Sequence, residues 1–239
     1  MALTVRAGRE MMKAAQRAGK TLSISENYRR DPMNRLVKAL LQSGAIGEPR
    51  MLINIGTSGT RNVQQVAAWR HIKLRGGWGI EYGVHTSDLV LYFMGDVDRV
   101  FAETHIWEKV RYMTNVTESP QLRRFYGHRV KEELDKGQTF EVTAEDTAFA
   151  VLRFVSGAMG QLTSSISAMG ARLHADIIYG SEGSITLPGS RTGRPVLLTP
   201  YGKDQPLPES EVLALAPKFE LDDNTARFFE GKRRLSSYQ

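Results

Sequence analysis

Residues 144–168 read AEDTAFAVLRFVSGAMGQLTSSISA. Apolar and polar side chains alternate over 145–155, Ser156-Gly157 interrupts, and the alternation resumes over 159–168. A period of two on either side of a glycine turn predicts a β-hairpin, because successive strand side chains point to opposite faces. The pattern continues with a strand at 172–179, a turn at Gly180-Ser181-Glu182-Gly183 and a short strand at 184–187. Successive strands joined by glycine turns predict antiparallel pairing.

Upstream the rhythm is different. Thr4 is placed as an N-cap for a helix over Val5 to Ala18, with Gly19 as its C′ residue. Leu22 and Ile24 then alternate with Ser23 and Ser25, which reads as a strand. Asp31-Pro32 opens a second helix with Leu36, Val37, Leu40 and Leu41 as its apolar stripe, closed by Gly44. A strand over 50–56, a helix over 80–94 ending at Gly95, and a strand over 98–107 follow. Residues 108–140 form a polar excursion with a short helix expected at 128–136. The stretch 190–239 is rich in Pro, Gly and charge and reads as irregular. Helix–strand alternation that gives way to hairpins predicts an α/β (α+β) fold: an open, predominantly antiparallel sheet with helices on one face. The helix and strand at the N-terminus read as the tail of a separate α/β unit.

Composition narrows the function. The 239 residues are 41% hydrophobic and 24% charged, ordinary for a globular chain. There is no cysteine, so thiol nucleophiles, thiolate metal sites and disulfides are excluded. No apolar run reaches the roughly 18 residues of a membrane span, and Met1 to Arg6 lacks a leader's apolar core. These features point to a cytoplasmic protein without a membrane partner. Residues 1–76 hold 14 of the Lys/Arg and only 4 of the Asp/Glu. Such a basic third suits anionic substrates, phosphates, an acidic partner or plain solvated helix faces. No nucleic-acid motif accompanies it, so no nucleic-acid partner is expected.

The segment Gly76-Gly77-Trp78-Gly79-Ile80-Glu81-Tyr82-Gly83-Val84-His85-Thr86-Ser87-Asp88 carries the chemistry. On a helix, Glu81, His85 and Asp88 fall within roughly 60° of arc, on one stripe. A carboxylate beside an imidazole suits general acid–base work. The same three groups suit a divalent metal. An ordinary i,i+4 surface pair fits the spacing equally well.

Several spaced stretches carry a resemblance: Ser25-Glu26-Asn27-Tyr28-Arg29-Arg30-Asp31-Pro32, LLQSGAIGEP at 40–49, Trp69-Arg70, Gly76 to Asp88, and Ile178-Tyr179-Gly180-Ser181-Glu182-Gly183-Ser184-Ile185. Over about residues 3–190 the chain resembles the C-terminal part of the Gfo/Idh/MocA family of NAD(P)-dependent oxidoreductases. The resemblance implies hydride transfer on a sugar, inositol or related polyol. It implies His85 as the acid–base residue, with Glu81 in an acidic position more usually held by Asp. Tyr28, Arg29, Trp69, Arg70 and Asp88 are implied as substrate-pocket residues, and no metal site is implied. Residues 1–27 then correspond to the end of a dinucleotide-binding Rossmann domain and 28–239 to the substrate domain. No G-x-G-x-x-G follows a strand, so NAD or NADP, the family's cofactor, is not expected to bind tightly to this chain alone. The family's Glu-Lys-Pro motif, with its catalytic lysine, falls before Met1, and a final family helix falls beyond Gln239. The chain is thus expected to be a fragment, inactive alone, and to form a homodimer or tetramer through its sheet face. The alternative is a non-catalytic binding or dimerisation module left after loss of the cofactor domain.

Overall fold

The computed structural model describes residues 2–64, 67–113, 124, 139–190, 192–217, 219, 220 and 223. Three helices and a seven-stranded sheet organise the site. Helix α1 spans Val5–Arg17, with the Thr4 hydroxyl accepting from the Ala7 N–H at 3.1 Å. Helix α2 spans Pro32–Gln42; Pro32 fills its first turn and the Asp31 carboxylate accepts from the Met33 N–H. Helix α3 spans Gly77–Met94 and ends at Gly95, which has φ 84°.

The strands are β1 Pro49–Thr57, β2 Val97–His105, β3 Val110–Tyr112, β4 Thr139–Glu141, β5 Thr147–Phe154, β6 Met159–Ser165, β7 His174–Gly180, β8 Gly183–Thr186 and β9 Leu197–Pro200. The large sheet runs β2-β5-β6-β1-β7-β8-β9, and β3 pairs with β4 separately. All neighbours in the large sheet are antiparallel except β1 and β6, which run parallel. The hairpin foreseen at 145–168 is β5–β6. Successive strands do not all pair in turn, because β1 inserts between β6 and β7. The chain at 166–173 therefore has to step across β1 before β7 can pair.

Leu36, Val37 and Leu40 of α2 and Val90 and Phe93 of α3 pack on the inner sheet face. There they meet Leu52, Leu152, Phe154, Ile178, Ile185 and Leu198. Each such side chain contributes about 1.5–3 kcal/mol on full burial. The turn between β7 and β8 is held close to the loop after α2, where a Cβ on Gly180 would collide with the Ile46 carbonyl oxygen.

Three expectations change. Residues 22–25 form no strand, and Leu22 and Ile24 are exposed. Alternation supplies the pattern, but no described strand lies alongside to take the backbone hydrogen bonds. Helix α3 begins at Gly77 rather than Ile80. Within 190–239, β9 and a short helix α4, Glu209–Ala214, give order where irregular chain was expected. Val212 of α4 and Leu198 of β9 are buried in the same core, which explains the order despite the polar composition. The helix expected at 128–136 lies outside the described residues. Among the described residues, no helix is long and apolar enough to cross a membrane.

Candidate active site

Two 3-10 turns, Tyr28–Arg30 and Ala68–His71, pack against α3 and frame its partly buried Glu81–His85–Asp88 stripe. Each of the three polar residues on that stripe is met by a partner from outside the helix. Glu81 Oε1 accepts from Arg70 Nη2 at 2.8 Å. His85 Nδ1 lies 2.7 Å from Oε1 of Glu26. Asp88 takes Arg29 in a two-pronged pair, Nε to Oδ2 at 2.7 Å and Nη2 to Oδ1 at 2.5 Å. The fork geometry of guanidinium suits such a carboxylate pair, and the bond to Asp88 raises the Arg29 pKa against the opposing effect of burial. The stripe is thus three separate couples. Among the described residues, no three His, Asp or Glu side chains converge as a metal site.

Aromatic rings complete the setting. Tyr28 stacks on His85, with centroids 4.2 Å apart and planes at 16°. Tyr82 meets the same imidazole edge-on at 6.4 Å and itself stacks against Trp78 at 4.6 Å and 7°. Arg70 lies over the Trp69 ring at 5.2 Å and Arg29 over Tyr92 at 5.1 Å, both within cation–π range.

Beside these couples lies a cleft of about 750 Å³ between α3 and the inner sheet face. Trp78, Tyr82 and Thr86 form its helix wall, and Asn54, Ser164 and Asp176 lie on its sheet floor. Tyr28 also lines it, so the ring stacked on His85 is shared with the cleft. Asn54 and Asp176 are cross-strand partners on β1 and β7, and their side chains are hydrogen-bonded. Burial pushes the Asp176 carboxyl up to about 6, against the Asn54 bond and the nearby His174, which pull it down.

A buried network braces the far end. Arg111 donates to Ser167 Oγ at 2.7 Å and to the Thr60 carbonyl, and lies 3.4 Å from Asp146. Asp146 also accepts from the backbone N–H groups of Trp107 and Glu108 and from the Thr147 and Ser167 hydroxyls. Burial pushes its pKa up, but those bonds outweigh burial and hold it below the ordinary range. Nearby, His71 Nε2 accepts from the Gln64 N–H at 3.0 Å. Burial, then the Arg111 and Arg70 charges, lower its pKa to about 4, so it is a neutral structural imidazole near pH 7.

Sequence reasoning named His85, Glu81, Tyr28, Arg29, Trp69, Arg70 and Asp88, and all seven lie on or around the α3 stripe. Spacing ranks Glu81 as the carboxylate for His85; in the structure Glu81 holds Arg70 and Glu26 holds His85. Glu26 was missed as a site residue, although it stands two positions before Tyr28 in a quoted stretch. Asp176 was missed too; its signal is a carboxylate in the same strand phase as buried Ile178.

Residues 34–186 match the family model described as the GFO/IDH/MocA C-terminal domain. Levoglucosan dehydrogenase of Pseudarthrobacter phenanthrenivorans is 27% identical over 188 residues, covering 76% of this chain and 45% of that protein. Myo-inositol 2-dehydrogenase of Thermotoga maritima is 26% identical over 193 residues, 80% of this chain and 48% of that protein. A crystal structure of an NAD binding oxidoreductase from Klebsiella pneumoniae superposes with a TM-score of 0.64 at 23% identity. It covers 85% of this chain and 49% of that one. The chain therefore spans about half the length of the relatives it matches.

Proposed function

The chain belongs to the GFO/IDH/MocA family by its C-terminal domain, and on that footing we propose that it is the substrate-seating and proton-handling part of an NAD(P)-dependent dehydrogenase acting on a sugar, inositol or related polyol. The observation that carries the reading is an imidazole, His85, oriented by a carboxylate at 2.7 Å and stacked on a ring that also lines the cleft. A cleft of about 750 Å³ suits a small molecule. Its stacked Trp78–Tyr82 wall suits the apolar face of a cyclic polyol, and its Asn54, Ser164 and Asp176 floor suits the hydroxyls.

In this reading His85 takes the proton of the reacting hydroxyl in oxidation and returns it in reduction. Tyr28 fixes the ring plane. Arg70 neutralises Glu81 and Arg29 neutralises Asp88, so the stripe presents His85 between two compensated carboxylates.

A nicotinamide cofactor would accept or supply hydride. The cradle for its pyrophosphate, a strand running through a glycine-rich turn into a helix, does not occur among the described residues. Gly76 and Gly77 open α3, but they follow a 3-10 turn. The cofactor is therefore assigned to a dinucleotide-binding unit outside these residues, and this chain alone is expected to bind NAD or NADP weakly at best. Calorimetric titration giving micromolar NAD affinity for the isolated chain would refute that assignment.

Two measurements test the activity. Reading the coding DNA upstream of Met1 is expected to reveal an in-frame G-x-G-x-x-G and Glu-Lys-Pro. A stop codon with a ribosome-binding site there favours a non-catalytic module instead. In a cofactor-competent form, His85→Ala is expected to lower kcat by roughly 10²–10⁴-fold with circular dichroism unchanged; undiminished turnover returns His85 to a structural role. The outer face of the sheet is further proposed as the surface of a homodimer or tetramer.

A further inference from the structure

The His85 imidazole is held on both a face and an edge. Tyr28 covers the face, and Nδ1 meets Oε1 of Glu26 at 2.7 Å. Glu26 is only 8% exposed, and the same Oε1 accepts the Tyr28 backbone N–H at 3.1 Å. One short segment thus supplies both the carboxylate and the stacked ring, and the N–H of the ring's own residue anchors the carboxylate. An ionised carboxylate has no proton to give, so a contact of this length puts the shared hydrogen on Nδ1. Neutral His85 is then the Nδ1–H tautomer, with its lone pair on Nε2. Glu81, one helical turn away, is occupied by Arg70.

We infer that Glu26 is the positioning residue of this site: it fixes the tautomer of His85 and leaves Nε2 as the atom that exchanges the substrate's proton, a task that helical spacing alone gives to Glu81. The catalytic half of this inference rests on His85 being the proton-handling group; the tautomeric half does not. The physical logic is that of any base oriented by a second, buried acceptor. With the wrong tautomer, Nε2 carries hydrogen and cannot accept one. Glu26 does not itself touch the substrate. Its effect therefore belongs in kcat, and KM is expected to stay near its wild-type value.

The test is made on this chain, without cofactor. Nitrogen-15 histidine labelling with long-range ring correlations at pH 8 reads the tautomer directly. The expected result is His85 as Nδ1–H in the wild type and in Glu81→Gln, and a change toward Nε2–H in Glu26→Leu. Glu26→Gln, whose side-chain carbonyl can still accept, is expected to keep the wild-type tautomer and serves if the Leu variant fails to fold. A wild-type His85 found as Nε2–H overturns the inference whatever the variants do. A tautomer that changes in Glu81→Gln and not in Glu26→Leu also overturns it. In a cofactor-competent form, Glu26→Leu is expected to lower kcat by about 10²-fold. If His85→Ala leaves turnover intact while the tautomer results hold, it is the proton-handling reading that fails.

Discussion

Asp176 sits in the core phase of β7, two residues before the fully buried Ile178, yet it faces the cleft. Burial is the main reason its carboxyl titrates at about 6 instead of 3.8. The folded state binds this proton more tightly than the unfolded chain does. The stabilisation is complete below about 3.8 and is lost as pH rises through about 6. Asp176→Asn removes that loss, so its melting temperature is expected to exceed the wild type's at pH 8, with the gap closing toward pH 4. Thermal melts at several pH values check this; a gap independent of pH refutes it. His71 has the opposite sign: its pKa is lowered from 6.5 to about 4, so its contribution is present above 6.5 and lost as pH falls through 4. His71→Gln is expected to soften acid unfolding in that window, read from the same melts. His85 was legible in the sequence because the Gly76–Asp88 segment places it. Glu26 was not legible as its partner, because the two are 59 residues apart and meet only where a 3-10 turn crosses α3.

Helix α3 carries three glycines that differ in what surrounds them. Gly77 has φ 65°, and a Cβ there would lie 2.6 Å from that of Ala144. Gly83 is helical, lines the cleft and has nothing within 4 Å of where its Cβ would go. Gly77→Ala is therefore expected to destabilise by about 1–3 kcal/mol, through backbone strain and overpacking. Gly83→Ala is expected to stabilise by about 0.5–1 kcal/mol, the ordinary helix preference. Urea denaturation of the two variants separates them; equal destabilisation by both would contradict these surroundings. The same contrast explains what was legible at this scale. Local chemistry marks the start of α2 through Asp31 and Pro32, and alternation marks β5 and β6. Alternation also marks 22–25, where no described strand pairs with it. Only the fold as a whole shows that β1 lies between β6 and β7, since strand adjacency is a long-range relation absent from local periodicity.

Across the whole molecule, the two faces of the sheet are unequal. The inner face carries α2, α3 and the cleft, whereas on the outer face large apolar side chains of β2 and β5 stand exposed. Along that outer face the register places Phe101 beside Val151, with Phe149 two residues away on β5 and Met159 beside Met51 between β6 and β1. Phe101 is 69% exposed and Phe149 56%. An apolar surface of this kind on an open sheet marks an interaction site. The proposed occupant is a second copy of the chain, which would meet the patch through a two-fold contact using the same surface on both protomers. The chain is therefore expected to sediment as a dimer or tetramer. Phe101→Lys with Val151→Lys puts two charges into the apolar patch, so the double variant is expected to be a monomer with unchanged circular dichroism. His85 lies on α3, on the opposite side of the sheet, so the tautomer in that monomer is expected to be the wild type's. Sedimentation velocity over a wide concentration range decides the matter. A wild-type chain that stays monomeric at its highest concentration, or a double variant that still associates, removes the outer face as the contact.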